Sequence, residues 1–449
     1  MLFTTDKQTL EDLNIFGKQG SDSVYTIFNR TTTRGGAAIL EEMFRYPLSD
    51  EDAINRRSGI IQYFAALGTT FPFQSAHFDA VEPYLSNTDE RTKLSAQDHS
   101  IGKKLSNLIG VDAETAVIYK GVTALTELLK GTFDFIASLN GKGGHFYQDD
   151  KDAIASLLAE PAFAPVLKEQ GKLSHATMVE YDVLFRFRHR PAIQKLLRYI
   201  YYLDVYLSVA RVALERKFVF PRALPKERHL LNLEGVYHLQ LKNPVPNTLQ
   251  ITPDSNVLFL TGANMAGKST FMKSLGIALF LAHMGFPVAA SSMEFSVLDG
   301  IYTTINLPDN LGMGASHFYA EVLRVKKVAQ ELSLSKNLFV IFDELFRGTN
   351  VKDAYEATIA ITAGFAAKRN SMFVISTHII EAGDVLKERS PSISFVYLPT
   401  RMKGNIPVYT YTLEAGITAD RHGMVIVNNE GILDILKKGI LNSEKTTIA

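Results

Sequence analysis

The sequence of 449 residues contains no cysteine. Without that residue the protein can form no disulfide, no thiolate metal site and no cysteine nucleophile, which is compatible with a reducing cytoplasm. The first six residues lack a basic segment followed by an apolar run, so we expect no signal peptide. The most apolar segments, such as residues 276–284, are too short to cross a bilayer. These absences predict a cytoplasmic protein without a membrane partner.

An excess of charge of either sign is also lacking. Lysine and arginine together number 47, aspartate and glutamate together number 47, and both halves of the chain are close to neutral. Proteins that bind DNA tightly without regard to its sequence usually carry a basic surface. The balance therefore argues against such DNA binding by a monomer. It does not exclude DNA binding by a local basic patch or by a channel that forms between the subunits of a dimer.

The distribution of apolar residues divides the chain into two parts. In segments 37–44, 53–67, 122–139 and 193–214, apolar residues recur at three- and four-residue spacing, which predicts helices. Proline and asparagine clusters between residues 221 and 246 end this pattern. Beyond them, short apolar runs at 257–260, 338–342, 373–376 and 394–398 alternate with helical stretches, which is typical of parallel sheets. We therefore predict an all-α domain over residues 1–230 and an α/β domain over residues 231–449.

The most informative segment is a glycine-rich loop between an apolar strand and a helix. Residues 262–269 read G-A-N-M-A-G-K-S, which matches the nucleotide-binding pattern G-x-x-x-x-G-K-[ST]. Gly262 and Gly267 let the backbone curl so that successive N–H groups and the helix N-terminus can face an anion. The pattern predicts Lys268 at the β- and γ-phosphates of a nucleotide and the Ser269 hydroxyl on Mg²⁺. An ordinary glycine-rich turn is the alternative.

A second segment is an apolar strand, residues 338–342, that ends in two carboxylates, Asp343 and Glu344. A P-loop ATPase needs such a pair beside its nucleotide. Asp343 would hold Mg²⁺, directly or through water, and Glu344 would orient and polarise the attacking water. Taken alone, the segment is better explained as a strand leading into an acidic turn. Because it follows the glycine-rich loop, the catalytic interpretation is favoured.

Two further candidates extend the site. His378 follows another apolar strand, where its imidazole could sense the γ-phosphate or position water. Most histidines at strand ends are structural, so this interpretation depends on the two motifs before it. Ser316 stands between a glycine-containing loop and an expected helix. It is either an ordinary N-cap or part of a helix N-terminus that donates to a phosphate, including one held by a second subunit.

Together these segments resemble the MutS family of mismatch-repair ATPases. Residues 261–270, T-G-A-N-M-A-G-K-S-T, are similar to the family's T-G-P-N-M-[AG]-G-K-S-T, and the asparagine–methionine pair is far more specific than the general loop. Residues 343–350, 316–321 and 376–378 are similar to its D-E-[IL]-G-R-G-T-S, S-T-F-M-x-E and A-T-H. In the helical half, residues 28–57 and 203–220 are similar to the opening and the closing helix of its core domain.

The resemblance implies an ABC-type P-loop ATPase domain, with a mixed, largely parallel sheet and flanking helices, preceded by an all-α core and lever domain. It implies that Asp343 and Glu344 serve metal and water, that His378 senses the γ-phosphate, and that ATP and Mg²⁺ are bound by the loop. It also implies that Ser316 acts across a homodimer, formed through the ATPase domain, on the partner's nucleotide. Double-stranded or branched DNA and a repair protein are the further partners that it suggests. The loop residues concerned are Gly262, Asn264, Met265, Ala266, Gly267, Lys268, Ser269 and Thr270.

The sequence departs from the family pattern at several positions. Residues 244–247, P-V-P-N, carry proline where the family usually places an aromatic residue against adenine. We expect Val245, Asn247 and Tyr411 to form this base pocket, with the Tyr411 ring compensating for the lost aromatic. Residues 421–423, R-H-G, replace the usual S-Y-G near the dimer contact. The family's mismatch-recognition and connector domains are not expected in this chain, so ATP hydrolysis is predicted and mismatch reading is not.

Two functions are therefore predicted. The first is a dimeric MutS-related ATPase whose nucleotide cycle moves helical arms on DNA or on a partner protein. The alternative is an ATP-dependent interaction or scaffold protein that does not bind DNA. A cluster of basic and aromatic residues at 185–199 bears on the choice, because it could contact a phosphate backbone or be the solvated face of a helix.

Overall fold

The computed structural model of the protein describes residues 3–17, 22–95, 111–139, 141, 144–305, 317–346, 348–404, 406–418, 430–433 and 435–436. Helices dominate the first half of these residues. In chain order the α-helices are α1 (Lys7–Asp12), α2 (Val24–Phe28), α3 (Arg34–Arg45), α4 (Glu51–Leu67), α5 (Ser75–Ser86), α6 (Val111–Ser138), α7 (Gln148–Leu158), α8 (Ala164–Lys168), α9 (His175–Asp182), α10 (Arg190–Arg216), α11 (Lys268–His283), α12 (His317–Ser333), α13 (Val351–Ala366) and α14 (Ile380–Arg389). The four helices predicted from apolar spacing are confirmed as α3, α4, α6 and α10. Within the described ranges no helix is long and apolar enough to span a membrane.

The strands lie in the second half of the chain. In order they are β1 (Arg222–Leu224), β2 (Leu231–Val236), β3 (Asn247–Ile251), β4 (Val257–Gly262), β5 (Ser292–Ser296), β6 (Gly300–Thr304), β7 (Leu338–Phe342), β8 (Met372–Ser376), β9 (Ile393–Leu398), β10 (Thr400–Lys403), β11 (Ile406–Tyr409) and β12 (Glu414–Ala415). The four apolar runs expected to form strands are β4, β7, β8 and β9, so these predictions are confirmed.

The chain folds into two compact units that interleave along the sequence. The first unit consists of residues 1–24, 46–55 and 218–449, and the second consists of residues 25–45 and 56–217. All the strands named here lie in the first unit. Segments 1–24 and 46–55 belong to that unit as well. A single boundary between residues 230 and 231, drawn from composition, does not show this.

The first unit is built on a six-stranded sheet in the order β12-β9-β4-β8-β7-β6. Neighbouring strands are parallel except for β12, which runs antiparallel to β9. Helices cover both faces of the sheet. On β7, Val340 and Phe342 pack in one core with residues of α12, α13 and α14, whereas Ile341 points the other way, towards Gly276 of α11. Coverage of both faces explains why the central strands are continuous apolar runs, and the unit is an α/β fold as predicted.

A second sheet and a hairpin complete the first unit. The sheet has four strands in the order β1-β5-β2-β3, and the hairpin pairs β10 with β11. Strand β2 runs antiparallel to both of its neighbours, while β1 runs parallel to β5. The connection from β2 to β3, residues 237–246, lies beside the loop that follows β4 and forms one wall of a cleft there.

The second unit is helical, with α5 packed on α6 and α3 packed on α10. A buried carboxylate fixes the start of α3 against α10. Asp204 accepts hydrogen bonds from the backbone N–H groups of Thr32 and Thr33 and from the Thr33 hydroxyl. A Cβ at Gly36 would lie 2.5 Å from the same carboxylate, so glycine allows the two helices to approach this closely.

The basic cluster at residues 185–199 is only partly on the surface. The Arg186 guanidinium is buried, pairs with Asp182 at 2.5 Å, and donates to the hydroxyl and the carbonyl oxygen of Thr92. Arg186 therefore stabilises the helical unit and is not placed to contact a phosphate backbone, which corrects that interpretation at this position. The members of the cluster that stay exposed are Arg188, Lys195 and Arg198.

Candidate functional site

The glycine-rich loop connects β4 to α11 at the carboxyl edge of the six-stranded sheet. Three of its residues have positive φ, Gly262 at 149°, Met265 at 69° and Gly267 at 97°. Side chains rarely tolerate the φ of either glycine, so both positions favour a residue without Cβ. At Gly262 a Cβ would also lie 3.1 Å from the Leu398 carbonyl oxygen. The curled path of the loop thus depends on its two glycines.

Lys268 opens α11 and is buried. Its ammonium donates to the carbonyl oxygens of Gly262, at 2.9 Å, and Ala263, at 3.2 Å. Burial lowers the pKa of Lys268, and the carboxylates of Asp343 and Glu344 oppose that shift. The lysine therefore places a positive charge inside the loop and within electrostatic range of two acids.

Asp343 follows β7 and ties the loop to two neighbouring strands. Its Oδ2 accepts a hydrogen bond from Ser269 Oγ, and its Oδ1 accepts one from Ser376 Oγ, each at 2.5 Å. Its backbone N–H donates to the carbonyl oxygen of Thr304, at the end of β6, at 2.9 Å. Burial raises the pKa of the Asp343 carboxyl more than the two hydroxyl donors lower it. The structure thus holds a partly dehydrated carboxylate against the first turn of α11.

Glu344 and His378 lie side by side although they follow different strands, β7 and β8. Glu344 Oε1 is 2.5 Å from His378 Nε2, and the Glu344 N–H donates to Ser376 Oγ at 3.0 Å. The side chains of Glu344 and His378 are 22% and 40% exposed. An acid and an imidazole in contact with each other and with solvent can position a water and accept its proton.

A cleft of about 490 Å³ opens over the loop. Its volume is in the range of small-molecule sites. The predicted site residues that line it are Asn264, Met265, Ala266, Gly267, Lys268, Ser269, Thr270, Val245, Asn247, Tyr411 and Glu344. The predicted residues Gly262, Asp343 and His378 do not line it. Each of these three residues contacts a side chain that lines the cleft. Gly262 accepts a hydrogen bond from Lys268, Asp343 accepts one from Ser269, and His378 pairs with Glu344.

Among the residues that line the cleft, Asn247 holds the backbone around Tyr411 in place. Asn247 Nδ2 donates to the Tyr411 carbonyl oxygen at 3.0 Å, and its Oδ1 accepts from the Leu413 N–H at 2.6 Å. Tyr411 has a φ of 56°, and its ring is so close to Gly267 that a Cβ there would lie 3.0 Å from Tyr411 Cδ1. Both ends of the Asn247 amide thus form hydrogen bonds with main-chain groups, and these bonds hold Tyr411 beside the loop.

Comparison with family models covers both parts of the chain. A model described as MutS domain III matches residues 8–210, and one described as MutS domain V matches residues 258–440. The chain belongs to the MutS family. The second matched region contains the glycine-rich loop, Asp343, Glu344 and His378.

Two curated relatives are DNA mismatch repair proteins named MutS. The protein of Lactobacillus johnsonii is 29% identical over 242 residues, which are 51% of this chain and 28% of that protein. The protein of Streptococcus agalactiae is 26% identical over 291 residues, which are 61% of this chain and 33% of that protein. The aligned region of this MutS-family chain therefore spans about a third or less of the length of these relatives.

The sequence did not point to three further residues that lie in or beside the cleft. Ser376 bonds to both Asp343 and Glu344, and Thr304 accepts from the Asp343 N–H. Their position at the carboxyl ends of β8 and β6 is the signal that could have suggested them, because such ends meet at one edge of a parallel sheet. His238 lines the cleft from the β2–β3 connection, and burial lowers its pKa, assisted by the charge of Lys273.

Two predicted features lie outside the described residues. One is Ser316, predicted to act on the nucleotide of a partner subunit. The other is the segment 421–423, predicted to lie near the dimer contact. Both stay predictions.

Proposed function

We propose that this MutS-family protein binds ATP with Mg²⁺ in the cleft over its glycine-rich loop and hydrolyses it to ADP and phosphate. The observation that carries the proposal is the meeting of polar side chains from three strand ends. Lys268 and Ser269 follow β4, Glu344 and the Ser269-bonded Asp343 follow β7, and the Glu344-bonded His378 follows β8. Ligands of parallel α/β sheets bind outside the carboxyl ends of the strands.

The loop supports triphosphate binding through charge and backbone donors. The first N–H groups of α11 have no acceptor within the helix and carry its partial positive charge. On ATP binding, Lys268 would exchange the carbonyl oxygens of Gly262 and Ala263 for phosphate oxygens, because an ammonium gains more from an anion than from a neutral carbonyl. The binding energy of the phosphates would thus come from groups that the free protein already holds in place.

The residues around Asp343 fit a magnesium ion. Ser269 Oγ and the Asp343 carboxylate offer only oxygen donors, which Mg²⁺ prefers. Because burial raises the pKa of Asp343, a divalent cation would offset the cost of keeping this carboxylate ionised. When bound, Mg²⁺ neutralises charge that develops on the phosphates. Ser269 and Asp343 would hold it, and Ser376 would keep the carboxylate oriented.

Glu344 is the residue that we assign to the attacking water. It lines the cleft, and its Oε1 is held by His378, which gives the carboxylate a defined orientation. In this position Glu344 would orient the water and accept its proton, while His378 would keep Glu344 aligned and respond to the terminal phosphate. Tyr411, held by Asn247 beside the loop, would bound the nucleotide at the base end with Val245.

Dimerisation through this unit and action on DNA or on a repair protein are parts of the proposal that rest on the family. Both relatives carry the name DNA mismatch repair protein. The second candidate function is an ATP-dependent scaffold that does not bind DNA. It is favoured by the zero net charge and by the burial of Arg186 within the basic cluster.

Equilibrium binding of ATP tests the nucleotide site. We expect Lys268→Ala to weaken ATP binding by about 10- to 100-fold, the loss expected when hydrogen bonds to a charged group are removed. The matched control is Lys387→Ala on α14, an exposed lysine that does not line the cleft, and it should leave affinity unchanged. Equal affinities of the Lys268→Ala and wild-type proteins would contradict the proposal.

Fluorescence anisotropy with duplex, mismatched and branched DNA at two salt concentrations separates the two functions. A protein that acts on DNA should bind at least one of these more tightly than about 10⁻⁴ M, the weak end of ordinary non-specific binding, and ATP should change that affinity. Binding weaker than that limit for all three, with normal ATP binding, would favour the scaffold.

A further inference from the structure

The N-terminal segment, residues 3–15, packs on the edge strand of the six-stranded sheet. Thr4 forms a parallel bridge with Gly300 of β6, donating from its N–H to the Asp299 carbonyl oxygen at 2.8 Å and accepting from the Ile301 N–H at 3.0 Å. A Cβ at Gly300 would clash with the Thr4 carbonyl oxygen, so the close approach requires glycine. The segment therefore covers the sheet edge with backbone pairing rather than by loose side-chain contact.

The same segment holds the carboxyl end of β6. Thr9 Oγ1 accepts from the Thr303 N–H at 2.9 Å. Asp12 is buried, and its Oδ2 accepts from both Thr303 Oγ1 and the Ile305 N–H, each at 2.8 Å. Two buried side chains of α1 thus fix the residues on either side of Thr304.

Arg324 of α12 holds this strand end from a second direction. Its guanidinium is buried and pairs with Asp6, the residue that caps α1. It also donates from Nη2 to the Thr303 carbonyl oxygen at 2.7 Å and from Nε to Thr304 Oγ1 at 3.1 Å. Asp6 also pairs with Lys327 at 2.6 Å, so it is loss of Asp6 that would leave the buried Arg324 guanidinium without its carboxylate at the end of β6.

Thr304 connects this network to the candidate site, since its carbonyl oxygen accepts the hydrogen bond from the Asp343 N–H. We propose that Asp12 and Arg324 are positioning residues for the Asp343 carboxylate, which connects α1 to the proposed metal site through the Asp12 side chain. The inference rests on the proposed function, in which Asp343 holds Mg²⁺. Outer partners of metal ligands typically change metal affinity or activity by 10- to 100-fold when they are removed.

The test compares two acid-to-amide changes on the same helix. Asp12→Asn alters the buried acceptor, while Glu11→Gln alters an exposed neighbour that pairs with Lys7 at the surface. Mn²⁺ binding in the presence of ADP is measured by electron paramagnetic resonance, with ATP affinity measured in EDTA. Because Asp12 acts on Asp343 only through the end of β6, we expect Asp12→Asn to weaken Mn²⁺ binding by up to about tenfold, the lower end of the range for direct outer partners. Metal-free ATP affinity should stay that of the wild type, and Glu11→Gln should change neither quantity.

A merely structural role for Asp12 would lower the melting temperature without moving the metal affinity, and that result would overturn the inference. Thr303→Val keeps the shape of its residue but removes one donor to Asp12. If Asp12→Asn does not fold, Thr303→Val is expected to weaken Mn²⁺ binding in the same direction, and unchanged binding would overturn the inference. Failure of the wild-type protein to bind Mn²⁺ with ADP would overturn the proposed function together with this inference. If the wild type binds Mn²⁺ with ADP and Asp12→Asn binds it with the same affinity, this inference is overturned and the proposed function stands.

Discussion

Oε1 of Glu344 lies 2.5 Å from Nε2 of His378, a residue 34 positions later in the chain. The contact joins the ends of two adjacent parallel strands, β7 and β8. If Glu344 orients the attacking water, the main effect of the imidazole is on the direction of the carboxylate rather than on the affinity for ATP.

The first prediction concerns this contact. We expect His378→Ala to lower ATP turnover by about 10- to 100-fold, by analogy with removal of the hydrogen-bonded partner of a metal ligand. ATP affinity should stay close to that of the wild type, so steady-state kinetics should show the loss in kcat. His378→Gln, which can still donate to Glu344, should recover part of the activity. A His378→Ala protein with unchanged kcat would contradict the assigned role.

The second prediction concerns Phe346, which is buried although its φ is 62°. Its ring lies 5.9 Å from that of Phe318 in α12. Removing a buried phenylalanine ring costs about 3–5 kcal/mol, and a non-glycine residue in this conformation costs about 1–2 kcal/mol. Phe346→Gly should therefore lower the free energy of unfolding by about 2 kcal/mol, and Phe346→Ala, which keeps the strain, should lower it by about 1–2 kcal/mol more. Urea unfolding measures both, and an alanine variant at least as stable as the glycine variant would be inconsistent with this strain.

The third prediction uses two ion pairs of the helical unit with the same four-residue spacing. Asp182 and Arg186 have fully buried side chains, whereas those of Arg211 and Glu215 are 66% and 51% exposed. Truncating one partner of a buried pair costs about 3–5 kcal/mol because the other charge is left uncompensated, whereas an exposed pair is worth about 0–1 kcal/mol. Chemical denaturation should therefore show a large loss for Arg186→Ala and a small one for Arg211→Ala. Similar losses of unfolding free energy in the two variants would contradict the description of Asp182 and Arg186 as a buried ion pair.

The fourth prediction concerns the pH dependence of stability. Burial lowers the pKa of His283 to about 4, while its Nδ1 lies 2.8 Å from the Leu279 carbonyl oxygen and its Nε2 accepts from the Leu298 N–H. The unfolded state, with a pKa of about 6.5, takes up a proton that the folded state does not take up until about pH 4. Between these values stability should fall as the pH falls, by up to about 3 kcal/mol in total.

Melting temperatures of the wild type and of His283→Gln between pH 4 and pH 7 check this dependence. The substitution removes the titrating group, so it should reduce the slope between pH 4 and 6.5 even if it lowers stability at pH 7. Identical slopes for the two proteins would show that other groups control acid stability.

Periodicity located the strands β4, β7, β8 and β9 because a strand covered on both faces must be apolar along its whole length. The same reasoning could not reveal that residues 3–15 belong to the first unit. That segment is short and polar, and its contacts are set by tertiary structure, as when Asp12 meets Thr303, 291 positions away. The glycine-rich loop was visible in the sequence because its conformation restricts residue type at Gly262 and Gly267.

Within the site, the sequence indicated many of the residues that line the cleft but not how each is used. Val245, Asn247 and Tyr411 were predicted together as a base pocket, and all three line the cleft. The Asn247 amide donates to the Tyr411 carbonyl oxygen, 164 positions later in the chain. This contact depends on the tertiary fold, so the sequence alone does not show it. Ser376 was passed over for a similar reason, because only the adjacency of β7 and β8 brings its hydroxyl to Asp343.

ATP turnover by Glu344→Gln, measured together with its ATP affinity in the presence of Mg²⁺, tests the proposed hydrolytic site most directly. The glutamine keeps the size of the side chain but cannot accept the proton of the attacking water. We predict ATP binding close to that of the wild type and turnover reduced by about 10²- to 10⁴-fold, the range for loss of a general base. Turnover by Glu344→Gln at the wild-type rate would contradict the assignment of Glu344 and, with it, the proposed hydrolytic site.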